Sequence, residues 1–531
     1  MFKSIVRKIK EVLNKLSLYS DIKKIHKHKD VSVDEAFFDE IEKWKGLYMG
    51  YLSDIHDTHI FTIGGGRKKT KRHSLRMPKV VSEELATLIY NERVQLSISE
   101  TDQPEPEDGK PKEESPLEEY VKDTLKRNKF NTNFPDFLEK MFALGGGAIK
   151  PYVNDKQEVC IQFVTADCFL PISYSTSGEV REGVFIAETH KGDKKYTHLE
   201  WHVYDDDGMY TIYHQLYKTD KNRTELGVEV DLKELFPTME LDTFKFPGLT
   251  QTLFVYMKPN ISNNIDINSP LGISVYANAF DTMKAIDVAF DSFIREFRLG
   301  KKRILVPEQA IRKVVDPHTG RETQYFDVND EVFQQYNADM NDTKHITDIS
   351  VELRVEEHVA AINALLNLFA MQTGFSPGSF SFDGQSMKTA TEVVSENSKT
   401  FRTKQHHETV IEDALKHLIQ SIIEVAAEFK IENFTDIEYD VNIQFDDSIA
   451  QDRTADSAFY LSMVSGGLMS KLKAMMLQYG YSKEEAMEEL EQIKSENQQA
   501  MDDNLDMFGM TRSNLNREDE TNEVSKEASR D

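Results

Sequence analysis

Cysteine is almost missing from this chain. Its 531 residues include two, Cys160 and Cys168, whose spacing fits no zinc site and permits at most one disulfide. The fold therefore depends on packing and can form in a reducing cytosol. Positive charge is also scarce: 64 Lys plus Arg stand against 91 Asp plus Glu, a net charge of −27. That balance excludes a protein that coats nucleic acid by neutralising phosphates, while leaving room for a local basic patch. No apolar run approaches the roughly 20 residues that span a bilayer. The N-terminal MFKSIVRKIKEVLNKL is broken by Lys or Arg every few residues, unlike the continuous apolar centre of a signal peptide. The chain reads as soluble, with no membrane partner. HExxH, GxSxG, GxGxxG after a strand, Walker A and Cys/His clusters with metal spacing are all absent. No catalytic residue, cofactor or metal is expected, and His406 and His407, like His26 and His28, read as surface residues.

What is present is an α+β pattern with material for about three or four structural units. Residues 2–16 place Phe2, Ile5, Val6, Ile9, Val12, Leu13 and Leu16 on one helical face among lysines and arginines, a helix suited to docking on protein more than to lying on a membrane. A second helix is predicted over Val33–Asp54, with an aromatic core face. GGGRKKTKRHSLRMPK (Gly64–Lys79) has no acid. It reads as a solvated basic loop or a contact for nucleic acid or a partner, but it lacks the Gly-Lys-Ser/Thr step of a phosphate loop. A helix capped by Ser82 is expected from Val81, and residues 101–116 read as a mobile Pro- and charge-rich loop.

Between Gly145 and Lys258 the period changes to short β-type runs (AIKPYV, EVCIQFV, EGVFIAETH, THLEWHVY, MYTIYHQLY, QTLFVYM) separated by turn signals. Asp205–Asp207 before Gly208 reads as a hairpin turn, since the ligand alternation of a calcium loop is missing. A long helix is predicted over Ile273–Leu299, closed by Gly300, and another over Glu356–Gln372. They bracket a segment of short β-like runs with a small helix near Asp330–Tyr336. The spacing suggests a stalk with a small module at its tip. A Gly-, Ser- and Phe-rich loop follows, then a helix over Lys388–Phe429, a strand at Asp440–Phe445, and helices at 450–463, 470–478 and 483–496. The end, 499–531, is acidic and reads as disordered.

Several strings together resemble the portal proteins of tailed double-stranded-DNA bacteriophages, in the class of long-tailed phages of Gram-positive bacteria. They are IEKWKGLYMGYL (Ile41–Leu52), MPKVVSEELATLIYNE (Met77–Glu92), GGGAIKPYV (Gly145–Val153), PLGISVYANAFDTMKAIDVAFDSFIREFRLGKKRI (Pro270–Ile304), and TGFSPGSFSFDG followed by KTATEVVSENSKT (Thr373–Thr400). The resemblance implies a ring, usually of twelve copies, at one vertex of the capsid of a virion assembled in the host cytoplasm. It also implies procapsid nucleation, DNA packaging and ejection through the channel, and partners in terminase, major capsid protein, scaffolding protein and head-completion or tail-connector proteins. The implied divisions are an N-terminal extension (1–40), a wing (41–267, completed by 388–449 with the long tunnel helix), a stem helix (268–299), a clip (300–354), a second stem helix (355–373), a tunnel loop (374–387) and a crown (450–498). The rivals are a non-portal assembly or adaptor protein and a nucleic-acid-processing enzyme such as a nuclease.

A conduit must let DNA slide, so its wall should repel phosphates along most of its length and touch them weakly at a few rings. Asp281, Asp287 and Asp291 are the candidate repelling wall, or else a solvated outer face. Lys388 with Phe375, Phe380 and Phe382 is the candidate contact ring, unless the phenylalanines pack against the neighbouring loop. Arg295, Arg298, Lys301, Lys302 and Arg303, where stem meets clip, could contact DNA or bridge acids of an adjacent copy. Arg67, Lys68, Lys69, Lys71 and Arg72 are the contact candidates of the basic loop.

Overall fold

The computed structural model describes residues 35–61, 67–91, 94–100, 115–205, 207–221, 227–237, 239, 242–247, 249, 251–300, 352–381, 398–434, 437–445, 453–479, 486–487 and 489–494. It also describes the backbone of five short strands between 304 and 348. The chain divides into a large unit (1–102, 115–387 and 396–446) and a small one (103–114, 388–395 and 447–531). The expected N-terminal helix, most of the 101–116 loop and the 499–531 tail lie outside the described residues.

In the large unit, helix α1 (Glu35–Tyr48) buries Phe37, Phe38, Ile41, Trp44 and Leu47, which recur at helical spacing. It stops short of the expected Asp54 because Gly50 turns the chain at φ +79°. One helical turn, α2 (Ser53–His56), leads into a hairpin of β1 (Asp57–Phe61) and β2 (Arg67–Lys71). Helix α3 (Met77–Ile89) starts before the expected Val81, since Pro78 is tolerated in a first turn. Ser82, the expected cap, is instead buried inside the helix, where its hydroxyl donates to Pro78 O at 2.9 Å. After β3 (Gln95–Glu100), residues 116–144, given no element above, form α4 (Pro116–Arg127) and α5 (Phe130–Leu144). The Ser115 hydroxyl caps α4 by accepting from Glu118 N, and α5 buries Phe130, Phe134, Phe137 and Phe142.

Two antiparallel sheets follow. One has the order β12-β4-β5, from β4 (Gly147–Val153), β5 (Val159–Thr165) and β12 (Val255–Met257). The other comprises β6 (Phe169–Tyr174), β7 (Val180–Lys191), β8 (Lys194–Tyr204), β9 (Tyr210–Asp220), β10 (Val228–Val230) and β11 (Thr243–Phe246). Its order is β10-β9-β8-β7-β6, and β11 also pairs with β9. Strand β6 carries Pro171 and lies at the sheet edge, where a missing N–H is tolerated. Two of the glycine-bearing strings meet here. A Cβ on Gly145 (φ +82°) would lie 2.7 Å from the carbonyl carbon of Ile273, and one on Gly272 would lie 2.4 Å from Gly145 O. Only hydrogen fits at that crossing.

The first long helix, α6 (Phe280–Leu299), begins later than expected, after a 3-10 turn at Ala277–Ala279. The insert contains β13 (Ile304–Pro307), β14 (Lys313–Val315), β15 (Glu322–Gln324), β16 (Phe333–Tyr336) and β17 (Thr347–Asp348). Strand β16 replaces the small helix expected there. Its residues pair in parallel with β13, and the ladder offered by that apolar strand outweighs local helical spacing. Helix α7 (Val355–Gln372) returns beside α6. Arg354, just before α7, meets Glu296 near the end of α6, so the two run antiparallel. Helix α8 (Ser398–Glu428) would be about 46 Å long at 1.5 Å per residue; the expected 388–397 portion lies outside the described residues. Strand β18 (Tyr439–Gln444) pairs with β3. A single apolar cluster joins α1, α3, α5, both sheets, α6, α7 and α8.

In the small unit, α9 (Arg453–Ser465) and α10 (Lys471–Tyr479) are joined by a turn through Gly467 at φ +68°, and further helical backbone lies at 486–487 and 489–494. Both cysteines are free.

Candidate functional site

Helix α6 carries the three acids expected along one wall, and the structure separates them. Asp281 is exposed. Asp287 is buried at 7% exposure. Its Oδ2 lies 3.1 Å from His56 Nε2, and its Oδ1 accepts from Leu75 N at 3.0 Å. Asp291 is half-buried and accepts from His73 N (3.1 Å), with His73 Nδ1 at 2.9 Å. Burial would raise the Asp291 pKa, but the hydrogen bonds from His73 prevail and hold it below the usual carboxylate range. The cause of the separation is that His56, His73 and Leu75 cover this side of α6. The expectation of an open acidic wall narrows to Asp281 and the accessible edge of Asp291; Asp287 is occupied inside the unit.

The bases preceding Met77 sit on β2 and the residues after it, where a loop was expected. Lys69 pairs with Asp57 at 2.5 Å, and the Lys71 ammonium lies 4.4 Å from the Tyr51 ring centre. Arg72 donates to Ile55 O at 2.6 Å, and an Arg67 nitrogen lies 3.1 Å from His59 Nδ1. Arg67, Lys68, Lys69 and Lys71 are exposed. They form a positive ridge of which part is neutralised locally.

At the far end of α6, Arg295 and Arg298 are exposed, whereas Glu296 accepts two hydrogen bonds from Arg354, at 3.0 and 2.9 Å. Gly300 donates to Glu296 O at 2.7 Å with φ −76°, so it does not close the helix through a left-handed residue. Its lack of a side chain makes room for Leu353, whose Cδ2 would lie 2.2 Å from an added Cβ. Lys301, Lys302 and Arg303 lie outside the described residues.

The loop after α7 is clamped at its base. Phe375 is buried, its ring 5.1 Å from that of Phe380, which is 6.1 Å from Phe369 on α7. Ser376 N donates to Thr400 Oγ1, Gly378 N to Asn367 Oδ1, and the Lys399 ammonium to Met371 O. Phe375 and Phe380 therefore pack within their own chain. Phe382 and Lys388 lie outside the described residues.

Two features were not read from the sequence. His407, expected at the surface, is 2% exposed. Its Nδ1 accepts from Asn260 N at 3.0 Å, and burial holds its pKa at about 4. On the large sheet, His198 Nε2 lies 3.1 Å from His214 Nδ1, with Glu200 beside them. The available signal was the alternation His198, Glu200, His202 in THLEWHVY, which puts all three on one face of a strand.

A family model described as Phage portal protein, SPP1 Gp6-like, matches residues 27–503. The chain belongs to that family. No curated protein matches it. It is thus a bacteriophage portal protein, a structural component of DNA packaging. Among the described residues, no helix is long and apolar enough to cross a membrane.

Proposed function

We propose that copies of this chain close into a ring, twelve in the family pattern, at one vertex of the capsid, and that the ring is the passage for DNA during packaging and ejection. The observation that supports self-association is the apolar surface of the α6/α7 pair. Phe297 and Val288 on α6, and Leu368 and Met371 on α7, are 40–52% exposed. A single large apolar side chain at a surface is ordinary, but several along one antiparallel helix pair call for cover. Head-to-tail contacts around a ring supply it.

In this reading α6 and α7 are the stem, 300–354 the clip, 374–387 the tunnel loop, 450–498 the crown, and 41–267 with 388–449 the wing. Asp281 and the edge of Asp291 face the passage. Lys388, with the loop that Phe375 and Phe380 anchor, touches phosphates weakly. Arg295 and Arg298 with Lys301, Lys302 and Arg303 meet DNA or the acids of an adjacent copy. The ridge of Arg67, Lys68, Lys69 and Lys71 faces a protein partner. Terminase and head-completion or tail-connector proteins dock at the clip, and scaffolding and major capsid proteins assemble around the wing.

Electron microscopy of the purified chain tests the assembly. Rings with a hole wide enough for a DNA duplex are expected, and the double variant Leu368→Asp, Met371→Asp should yield monomers that keep wild-type circular dichroism. Wild-type protein that stays monomeric at all concentrations would overturn the reading.

A further inference from the structure

The large sheet brings together a donor set that neither the packing of the wing nor a DNA passage requires. In the antiparallel register of β8 and β9, Glu200 stands directly opposite His214, and His198 lies two residues earlier on β8, on the same face. His198 Nε2 and His214 Nδ1 are 3.1 Å apart, and Glu200 Oε2 is 4.0 Å from that same Nδ1. One ligand atom from each residue lies within 4.8 Å of the others. The two imidazoles are stacked, with ring centres 5.2 Å apart and planes 9° apart. Phe236 packs against His198 and Phe244 against His214.

We propose that His198, Glu200 and His214 bind one divalent transition-metal ion of the zinc class, cross-linking β8 to β9, with water in the remaining coordination position. Bonds of 2.0–2.1 Å in a tetrahedral site set two nitrogens about 3.3 Å apart, a few tenths of an ångström from the spacing present. The facing nitrogens now share one proton. Turning one imidazole to its other tautomer frees both lone pairs, so the rings release no net proton when the ion binds. Glu200 is already oriented from outside the set. Lys150 forms an ion pair with its Oε2, and His202 lies 2.8 Å from its Oε1 while its other nitrogen meets the Tyr210 hydroxyl at 2.6 Å. Such partners fix ligand geometry. The Lys150 ammonium also opposes a cation, so affinity is set by how far it withdraws. The aromatic neighbours and the two imidazoles favour zinc, cobalt or nickel over magnesium or calcium, which prefer all-oxygen sites.

The test is titration of the chelator-treated full-length chain with Co(II), read by visible d–d absorption and by metal content after gel filtration. One equivalent per chain with an intense tetrahedral spectrum is expected, displaced by Zn(II) and unmoved by a large excess of Mg(II). His198→Asn and His214→Asn should each weaken binding at least tenfold and lose that spectrum, and Lys150→Met should tighten it about tenfold. If the wild-type chain retains no Co(II), or if both histidine variants keep its stoichiometry and spectrum, the site does not exist. The wild-type measurement alone decides the matter should any variant fail to fold. Ring formation is read separately and is not required for either outcome.

Discussion

At the residue scale, His407 shows how a buried titratable group ties stability to pH. Its Nδ1 accepts from Asn260 N, and its ring sits edge-on to Phe142 at 5.1 Å. Protonation there removes the acceptor and places a charge in an apolar setting. The folded pKa of about 4 lies below the ordinary histidine value near 6.5, so the unfolded chain binds more protons between those two values. Stability contributed by neutral His407 is therefore complete above about pH 6.5 and is lost as pH falls toward 4. In urea unfolding, the loss of stability between pH 7 and pH 4.5 should be about 2 kcal/mol smaller in His407→Asn than in wild type. Equal losses would show that the ring is not held neutral. Nothing local in the string HHE distinguishes this residue from exposed His406. The difference arises from Asn260, almost 150 positions earlier.

At the element scale, the crossing of Gly145 and Gly272 gives two of the family-like strings a mechanical reason. Gly145→Ala adds both a positive-φ penalty, about 1 kcal/mol, and a clash with backbone. Gly178, at φ +85° with open space around it, isolates the first of these costs. The Gly145→Ala thermal midpoint should fall several degrees further than that of Gly178→Ala, with lower soluble yield; equal shifts would mean the crossing relaxes. Elements with a strong period were legible in the sequence: β8 alternates polar His198, Glu200 and His202 with apolar Leu199, Trp201 and Val203, and α6, α7 and α8 repeat at helical spacing. Elements whose residues depend on a distant partner were not. Strand β16 follows from pairing with β13, and β6 tolerates Pro171 only because it is an edge; the early stop of α1, by contrast, is local and follows from Gly50 itself. The candidate site divides in the same way. The exposure of Arg295 and Arg298 follows from helix phase, whereas the burial of Asp287 follows from His56, 231 residues away. The Phe375 and Phe380 packing likewise depends on α7 lying beneath the loop.

At the scale of the whole molecule, charge sets the conditions for assembly. Each copy carries −27, so twelve would gather roughly −320, and their repulsion is screened beyond about 10 Å at 0.1 M salt. Sedimentation should show a larger ring fraction at 0.5 M than at 0.05 M sodium chloride; the reverse would mean that ion pairs, not apolar helix faces, dominate the contact. The negative charge also limits how α6 can move. Asp287 and Asp291 are one helical turn apart and grip His56, Leu75 and His73. Rotating α6 about its axis by one residue, about 100°, would pull both carboxylates off their partners together. The pair acts as a keyway: it fixes the angular setting of α6, so torque applied to that helix is passed to the residues flanking the β1/β2 hairpin instead of being absorbed by slip.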